Sequence, residues 1–297
     1  SLLRSLGNSI VPLVFLAISA GLNIVLDLWF VIGLKWGVSG AAQATVIAQY
    51  VSGIGIALFT FIKYPDLLNK TPDVHLKKER FREITSFSAL TCLQQSIMNF
   101  GILTVQGLVN SFGTAIMAAF AAAVKIDAFA YLPVQDFGNA FSVFVAQNYG
   151  AGKPIRIWQG IKSSYVMMLV YVAAINIIIW CFAEKFALLF IDPSETEVIK
   201  DTALFLHINL SFFPLLGSLI ILRYTIQGAG YTKLAMFSGV SEMVARIMVS
   251  LVVVPLFGYL GVCYGDPTAW LFANLFLIPA FIYVYRRLKQ IARPEAA

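Results

Sequence analysis

The chain has 297 residues, of which 59% are hydrophobic and 12% are charged, and its mean hydropathy is +0.82. Soluble domains carry about 25% charged residues, so the composition excludes a soluble protein and indicates an integral membrane protein. The formal net charge of +6 would suit a nucleic-acid-binding protein, but the basic residues follow the loops between apolar segments, which excludes that function.

Apolar runs long enough to cross a bilayer recur along the whole chain, because a spanning helix needs about 20 residues. The sequence therefore predicts an all-α polytopic membrane protein. The eight predicted transmembrane helices cover residues 10–32, 40–62, 84–110, 115–147, 160–183, 200–227, 233–255 and 258–284.

The distribution of Lys and Arg predicts how these spans are oriented. If the segment before the first span is cytoplasmic, 15 of the 21 basic residues are cytoplasmic, three lie outside and three lie within spans. Cytoplasmic loops carry an excess of Lys and Arg, so both ends of the chain are predicted to face the cytoplasm. The acidic loop 191–201 then lies outside, and the expected location is the cell (inner) membrane.

Two short glycine-containing stretches recur in the same order. LRSLGNS (3–9) is similar to IQGAGYT (226–232), and GVSGAA (37–42) is similar to GYLGVC (258–263), with offsets of 223 and 221 positions between the glycines. The repeat predicts a unit of about 222 residues with six spans. An even number of spans makes the two copies parallel, related by an axis along the membrane normal.

The repeat also predicts a division of the chain. Residues 1–62 would be the last two helices of an N-terminal lobe, 63–83 a cytoplasmic linker, 84–285 a complete six-helix C-terminal lobe and 286–297 a cytoplasmic tail. Four helices of the first lobe are then missing, and we expect the sequence to be part of a 6+6 two-lobe transporter.

In the first predicted span, Asp27 shares a helical face with Ser19 and Asn23. One interpretation is that this face lines a cavity of the first lobe. The other is that Asp27 is simply hydrated, because it lies near the outer end of the span.

The third predicted span carries a polar stripe. Ser88 and four amide side chains fall within about 60° of one another around the helix. Because lipid cannot satisfy side-chain amides, this face either lines a cavity or forms hydrogen bonds to other helices. We favour the cavity. The four amides are Gln95, Asn99, Gln106 and Asn110.

Three charges interrupt the fourth predicted span. Lys125 and Asp136 share a helical face but lie about 16 Å apart along the axis. Pro133, between them, predicts a kink that could turn both towards one space, and Asn139 extends their face. Asp127 lies nearly opposite Asp136. We favour cavity positions for Lys125 and Asp136, and leave Asp127 open between a cavity and a structural partner.

Glu242 and Arg246 in the seventh predicted span have the i,i+4 spacing of an intrahelical ion pair. A structural pair is favoured, and the alternative is that Glu242 alternates between Arg246 and a substrate cation or proton. Arg223, near the cytoplasmic end of the sixth span, is expected to extend to the interface. Asp266 precedes Pro267 and is expected to cap a break in the eighth span.

Several stretches of the sequence closely resemble the multidrug and toxic compound extrusion (MATE) family of cation-coupled antiporters. They are LRSLGNSIVPLVFLAISAGLNIVLDLWF, WGVSGAAQATVIAQ, VAQNYGAGKP and GAGYTK. The resemblance covers the chain from the family's fifth helix to its twelfth and implies two six-helix bundles around a central cavity. It also implies export of amphipathic, often cationic compounds against an inward flow of H⁺ or Na⁺, without a cofactor.

The sequence departs from the sodium-coupled branch of this family. That branch carries a Glu on the seventh helix and an acid on the tenth, and the matching positions here are Met98 and Leu216. This departure speaks against a sodium site of that type in the second lobe. The sequence contains no nucleophile–base or metal-ligand spacing, so neither an enzyme nor a metal site is predicted.

The predicted mechanism uses carboxylates that hold a proton in one state and bind a cationic compound after releasing it. Asp136 and Glu242 are the first candidates. One alternative is a lipid-linked oligosaccharide flippase of the same superfamily, which would need more cationic side chains in the cavity. Another is a fragment that does not transport. The expected partners are small amphipathic molecules, the lipid bilayer and the first four helices, with no nucleic acid.

Overall fold

A computed structural model of the chain is almost entirely helical. It describes residue 3 and residues 7–65 and 78–291, with side chains described up to residue 288. No strand occurs in these ranges, which confirms the all-α prediction. Most of the predicted linker and the end of the predicted tail lie outside the described residues.

The chain divides into two compact units, Ser1–Arg80 and Phe81–Ala297. The described helices of the first unit are α1, Ile10–Asp27, which continues as a π-helical turn over Leu28–Gly33, and α2, Gly37–Lys63.

The two helices of the first unit run antiparallel. The Ser19 hydroxyl of α1 donates a hydrogen bond of 2.9 Å to the Ala48 carbonyl of α2, and Asn23 donates one of 3.3 Å to the Thr45 hydroxyl. The buried residues of α2 are small and four positions apart, and they are Gly40, Ala44 and Ala48. Small residues at this spacing let two membrane helices approach closely.

The described part of the second unit contains the remaining helices, apart from the first three residues of the helix that begins at Lys78. Its apolar core is formed by fully buried side chains such as Leu206, Phe213, Ile221 and Leu277. The helices are α3, Lys78–Val109; α4, Thr114–Gly150; α5, Pro154–Ala187; α6, Thr196–Ser211; α7, Phe213–Gly228; α8, Thr232–Met248; the short α9, Val254–Phe257; the short α10, Tyr259–Cys263; and α11, Gly265–Ile291.

Among the described residues, six helical segments are long and apolar enough to cross a membrane. A seventh results if α6 and α7, which are bent by 48° relative to each other, form one span. Helix α3 covers the third predicted span without a break, but it does not reach the hydropathy of the others because of its Gln and Asn residues. If α6 and α7 are counted as one span, the eight predicted spans correspond to seven apolar segments and one more polar helix.

The glycine repeat in the sequence has a counterpart in the backbone. Gly7 and Gly230 have φ angles of +85° and +88°, and Gly37 and Gly258 have φ angles of +56° and +58°. Only glycine adopts this left-handed region at little cost, so the matched glycines mark the same turns in both copies.

The segment before the second turn is also similar in the two copies. A π-helical turn ends the first helix of each pair, over Leu28–Gly33 in one and Val249–Val253 in the other. After the turn, Gly40 and Gly261 pack so closely that an added Cβ would lie 3.0 Å or less from the preceding segment. These features support the predicted repeat.

Candidate functional site

A cavity of about 400 Å³ in the second unit brings together residues from α3, α4, α6, α8, α10 and α11. Cavities that bind small molecules have volumes of about 300–1,000 Å³ and mainly apolar walls. The walls here include four aromatic side chains, Phe120, Tyr131, Phe205 and Trp270. The charged residues that line it are Lys125, Asp127, Arg246 and Asp266.

Asp127 contributes a half-buried carboxylate to this cavity. Its Oδ1 atom accepts a hydrogen bond of 3.0 Å from the Asn209 amide of α6. The ion pairs of the described residues do not include Asp127, and Asp266 is close enough to repel it. The carboxylate is thus held in place by an amide but forms no ion pair with a Lys or Arg of the described ranges.

Two other charged residues of the cavity, Arg246 and Asp266, belong to a network of four charged residues on α7, α8 and α11. Glu242 forms an ion pair with Arg223 and a longer contact of 3.5 Å with Arg246. The Arg246 guanidinium donates two hydrogen bonds, of 3.0 and 2.9 Å, to one oxygen of Asp266. Ser238 accepts a hydrogen bond of 2.9 Å from Arg223.

The network buries its charges almost completely. The exposed fractions of Arg223, Glu242 and Arg246 are 3%, 1% and 4%, while Asp266 is half-buried at the cavity wall. Two guanidinium groups face two carboxylates, so the network is neutral overall. Pairing is what makes charges tolerable within a membrane protein, because an isolated charge there costs at least ~3 kcal/mol.

The structure corrects one expectation for these residues and adds partners to another. The prediction that Arg223 extends to the interface is wrong, because Glu242 on the neighbouring helix pairs with it in the interior. The predicted pair of Glu242 and Arg246 exists, but each has a closer partner on another helix. Asp266 lies in the first turn of α11, and its carboxylate binds Arg246.

The three charged residues of α4 are placed differently from the sequence prediction. Lys125 lines the cavity, with its Nζ 5.7 Å from the centre of the Phe190 ring. Asp136 and Asn139 are exposed, do not line this cavity and form no hydrogen bond or ion pair with another described residue. Helix α4 is continuous through Pro133. Asp127, rather than Asp136, therefore shares the cavity with Lys125.

The polar stripe of α3 lies opposite its packed face. The buried residues of α3 are Gln94, Met98, Gly101, Val105 and Val109, whereas the four predicted amides are exposed. Of these amides, Gln106 lines the cavity and Gln95, Asn99 and Asn110 do not. None of the four forms a hydrogen bond with another described residue, so the alternative of hydrogen bonding between helices is not realised within the second unit.

The first unit contains a smaller polar cluster. Asn23 on α1 donates its hydrogen bond to Thr45 on α2, and Asp27 lies one turn after Asn23. The Oδ1 atom of Asp27 is buried and has no hydrogen-bond partner among the described residues. Carboxylate, amide and hydroxyl oxygens are the ligands of protons and hard cations, so this cluster is suited to binding one.

Sequence reasoning missed the residues that only the tertiary structure brings to the cavity. Tyr131 lines it and donates a hydrogen bond of 3.1 Å to Gln135, whose amide donates one of 2.7 Å to Tyr224. Phe205 and Trp270 come from α6 and α11. Aromatic residues are frequent throughout the spans, so no local signal distinguished these from lipid-facing ones.

Comparison with known proteins agrees with this architecture. The sequence profile of the MatE family matches residues 91–252. The chain is 26% identical over 284 residues to the probable multidrug resistance protein YpnP of Bacillus subtilis, covering 95% of this chain and 62% of that protein. It is 24% identical over 273 residues to the probable multidrug resistance protein NorM of Thermotoga maritima, covering 89% of this chain and 58% of NorM.

Among solved structures, the Vibrio cholerae MATE transporter VcmN in its bent form superposes with a TM-score of 0.83 at 22% identity. The superposition covers 97% of this chain and 65% of VcmN. The chain thus has the fold of the corresponding part of that transporter and spans about three fifths of the length of the relatives it matches.

Proposed function

Because the chain belongs to the MatE family of multidrug and toxic compound extrusion transporters, we propose that it acts in the export of amphipathic, often cationic compounds. Export is coupled to an inward flow of H⁺ or Na⁺ and proceeds by alternating access. The names of its relatives YpnP and NorM, both probable multidrug resistance proteins, support this proposal. The proposed location is the inner membrane, with both ends of the chain in the cytoplasm, which the 15 to 3 distribution of basic residues supports.

The observation that carries the proposal is the unneutralised carboxylate of Asp127 in an aromatic cavity. The apolar part of a substrate would pack against side chains such as Phe205 and Trp270, and its cationic group would pair with Asp127. Asp127 replaces the two carboxylates first suggested by the sequence. Glu242 is already neutralised by two arginines, and Asp136 lies outside the cavity.

The coupling ion is proposed to bind at Asp27 in the first unit. The buried, unpartnered oxygen of Asp27 lies near the polar groups of Asn23 and Thr45, and no basic residue pairs with it among the described residues. Binding of a proton or Na⁺ would neutralise Asp27 and its release would restore the charge. The two units would then carry different tasks, ion binding in the first and substrate binding in the second.

A transport assay in cells that lack other efflux pumps tests this function. The protein, expressed from its complete gene, should lower the accumulation of a fluorescent organic cation. Asp127→Asn should weaken transport about tenfold, since it removes one charge-assisted contact. Asp136→Asn is the matched control, because it changes the same residue type on the same helix outside the cavity. Unchanged efflux by Asp127→Asn, or equal losses in both variants, would refute the proposal.

A further inference from the structure

The substrate cavity contains two charges of opposite sign that form no ion pair within the part of the chain that the structure describes. Arg246 and Asp266 neutralise each other with two hydrogen bonds. Asp127 has the Asn209 amide as its one hydrogen-bond partner among the described residues. Lys125 is absent from the ion pairs of the described residues, and its ammonium group lies 5.7 Å from the centre of the Phe190 ring.

Lys125 also lines a neighbouring cavity of about 520 Å³, whose walls include the acidic residues Asp192 and Glu195. Neither carboxylate lies within ion-pair distance of Lys125. Asp192 instead accepts two hydrogen bonds from Ser194, of 2.9 Å from its backbone and 2.6 Å from its hydroxyl, and these lower the pKa of Asp192. The acidic loop therefore does not supply the missing counter-charge.

The positions of Lys125 and Asp127 on α4 define a distance between the two charges. Residues two apart on a helix point about 160° away from each other, so these two side chains flank the helical face between them. That face is formed by Ala121, Val124 and Ala128, all of which line the cavity. A molecule lying across this face would meet the two charges at a separation of about 10 Å, the diameter of a helix.

We propose that the preferred substrates of this cavity are zwitterionic aromatic compounds, with the cationic group at Asp127 and a carboxylate at Lys125. The inference rests on the proposed export function and deepens it, since that function requires only a cation. A purely cationic substrate would neutralise Asp127 but leave the Lys125 charge uncompensated. A zwitterion neutralises both, while its aromatic body packs against Phe205 and Trp270.

Two dyes that differ by one ester group test the proposal. Tetramethylrhodamine carries a delocalised cation and a carboxylate, whereas its methyl ester carries the cation alone. The protein, expressed from its complete gene, is purified into lipid nanodiscs, and dye binding is measured by fluorescence polarisation. The wild type should bind the zwitterion about tenfold more tightly than the ester, the effect of one additional charge-assisted contact.

Variants locate this preference at Lys125. Lys125→Gln should abolish the preference, because it weakens zwitterion binding about tenfold without weakening ester binding, and Lys125→Arg should restore it. Lys185→Gln is the matched control, because Lys185 is also exposed and contacts a single aromatic ring, Phe182, but lies outside the cavity. Asp127→Asn should weaken the binding of both dyes.

The outcomes separate this inference from the proposed function. If the wild type binds the ester as tightly as the zwitterion, or if Lys125→Gln weakens both dyes equally, the zwitterion proposal is wrong. Binding of the ester that depends on Asp127 would then leave the export function standing. If neither dye binds, both proposals fail.

Discussion

The helix pair at residues 10–63 and the helix pair at 232–288 follow one backbone plan but carry different chemistry. Counting 16 residues from Gly7 and Gly230 leads to Asn23 and Arg246, and counting eight from Gly37 and Gly258 leads to Thr45 and Asp266. In the first pair, Asn23 contacts Thr45 at 3.3 Å, and in the second, Arg246 contacts Asp266 at 2.9 Å. The same two positions thus join the helices in both copies.

The difference lies in the charge at these equivalent positions. The first copy joins its helices through two neutral side chains, and the Asp27 oxygen has no hydrogen-bond partner among the residues that the structure describes. The second copy joins them through a guanidinium and a carboxylate, and the residue equivalent to Asp27 is Ser250. The comparison teaches that the glycines and the helix packing specify the backbone, whereas the chemistry at each contact position varies independently. The second copy has the Arg246 guanidinium at this contact, whereas the neutral contact of the first copy agrees with the proposal that a coupling ion binds at Asp27.

The largest expected effect is a difference in the free energy of unfolding between variants of the two copies. Glu242→Gln should lower the free energy of unfolding by about 3 kcal/mol, because it leaves two buried guanidinium groups without their shared carboxylate. Counting 12 residues from Gly7 and Gly230 leads to Ser19 and Glu242, so Ser19 is the equivalent position in the first copy. Ser19→Ala should lower the free energy of unfolding by only about 1 kcal/mol, because it removes one neutral hydrogen bond. Denaturant unfolding of the purified protein measures both.

The exposed Glu184→Gln on α5 serves as the control for this experiment and should leave stability unchanged. Equal losses in Glu242→Gln and Ser19→Ala would contradict the assignment of a buried ion network to the second copy alone.

A second experiment tests what the two copies share. Gly37→Ala and Gly258→Ala should each lower the free energy of unfolding by about 1 kcal/mol, because both place a Cβ at a left-handed φ. Gly53→Ala provides the control, since Gly53 lies within α2 and has open space around it, and alanine is favoured there as a better helix former. A large difference between the losses at Gly37 and Gly258 would argue against a common turn.

The smallest expected effect concerns the neutral contact of the first copy. A double-mutant cycle of Asn23→Ala and Thr45→Ala should give a coupling energy of about 0.6 kcal/mol, the average for a hydrogen bond between membrane helices. The corresponding cycle of Arg246→Ala and Asp266→Ala should give a larger value because both groups are charged. Equal coupling energies would remove the proposed difference between the copies.

The sequence predicted the features that depend on local spacing. The approximate positions of the spans, the polar stripe of α3 and the repeated glycine turns follow from hydropathy, periodicity or the conformational needs of single residues, whereas the bend between α6 and α7 was not predicted. Angle counting placed Asp127 nearly opposite Asp136 on α4, and of these two residues only Asp127 lines the cavity. It could not indicate which charged residues reach the cavity, because Lys125 lines it together with Asp127, and this depends on how α4 packs against other helices.

Contacts between helices were beyond prediction from local patterns. Arg223 and Glu242 are 19 residues apart, and Arg246 and Asp266 are 20 apart, with a turn between the partners in each case. The i,i+4 spacing indicated only the contact of Glu242 and Arg246, which is the longest in the network. A buried charge in a membrane protein is stabilised by pairing with an opposite charge, and that partner can lie on any neighbouring helix.

The glycine turns also determine where this chain can change in length. From Asn23 to Gly37 there are two more residues than from Arg246 to Gly258, yet the contacts on either side of the turn are kept. The longer turn includes Lys35, the one described residue other than glycine with a positive φ. An insertion within a helix would rotate every following side chain by about 100°, whereas an insertion here is absorbed before the next helix begins. Insertions and deletions in the course of evolution are therefore expected to accumulate just before Gly37 and Gly258, and to be excluded from the helices that these glycines introduce.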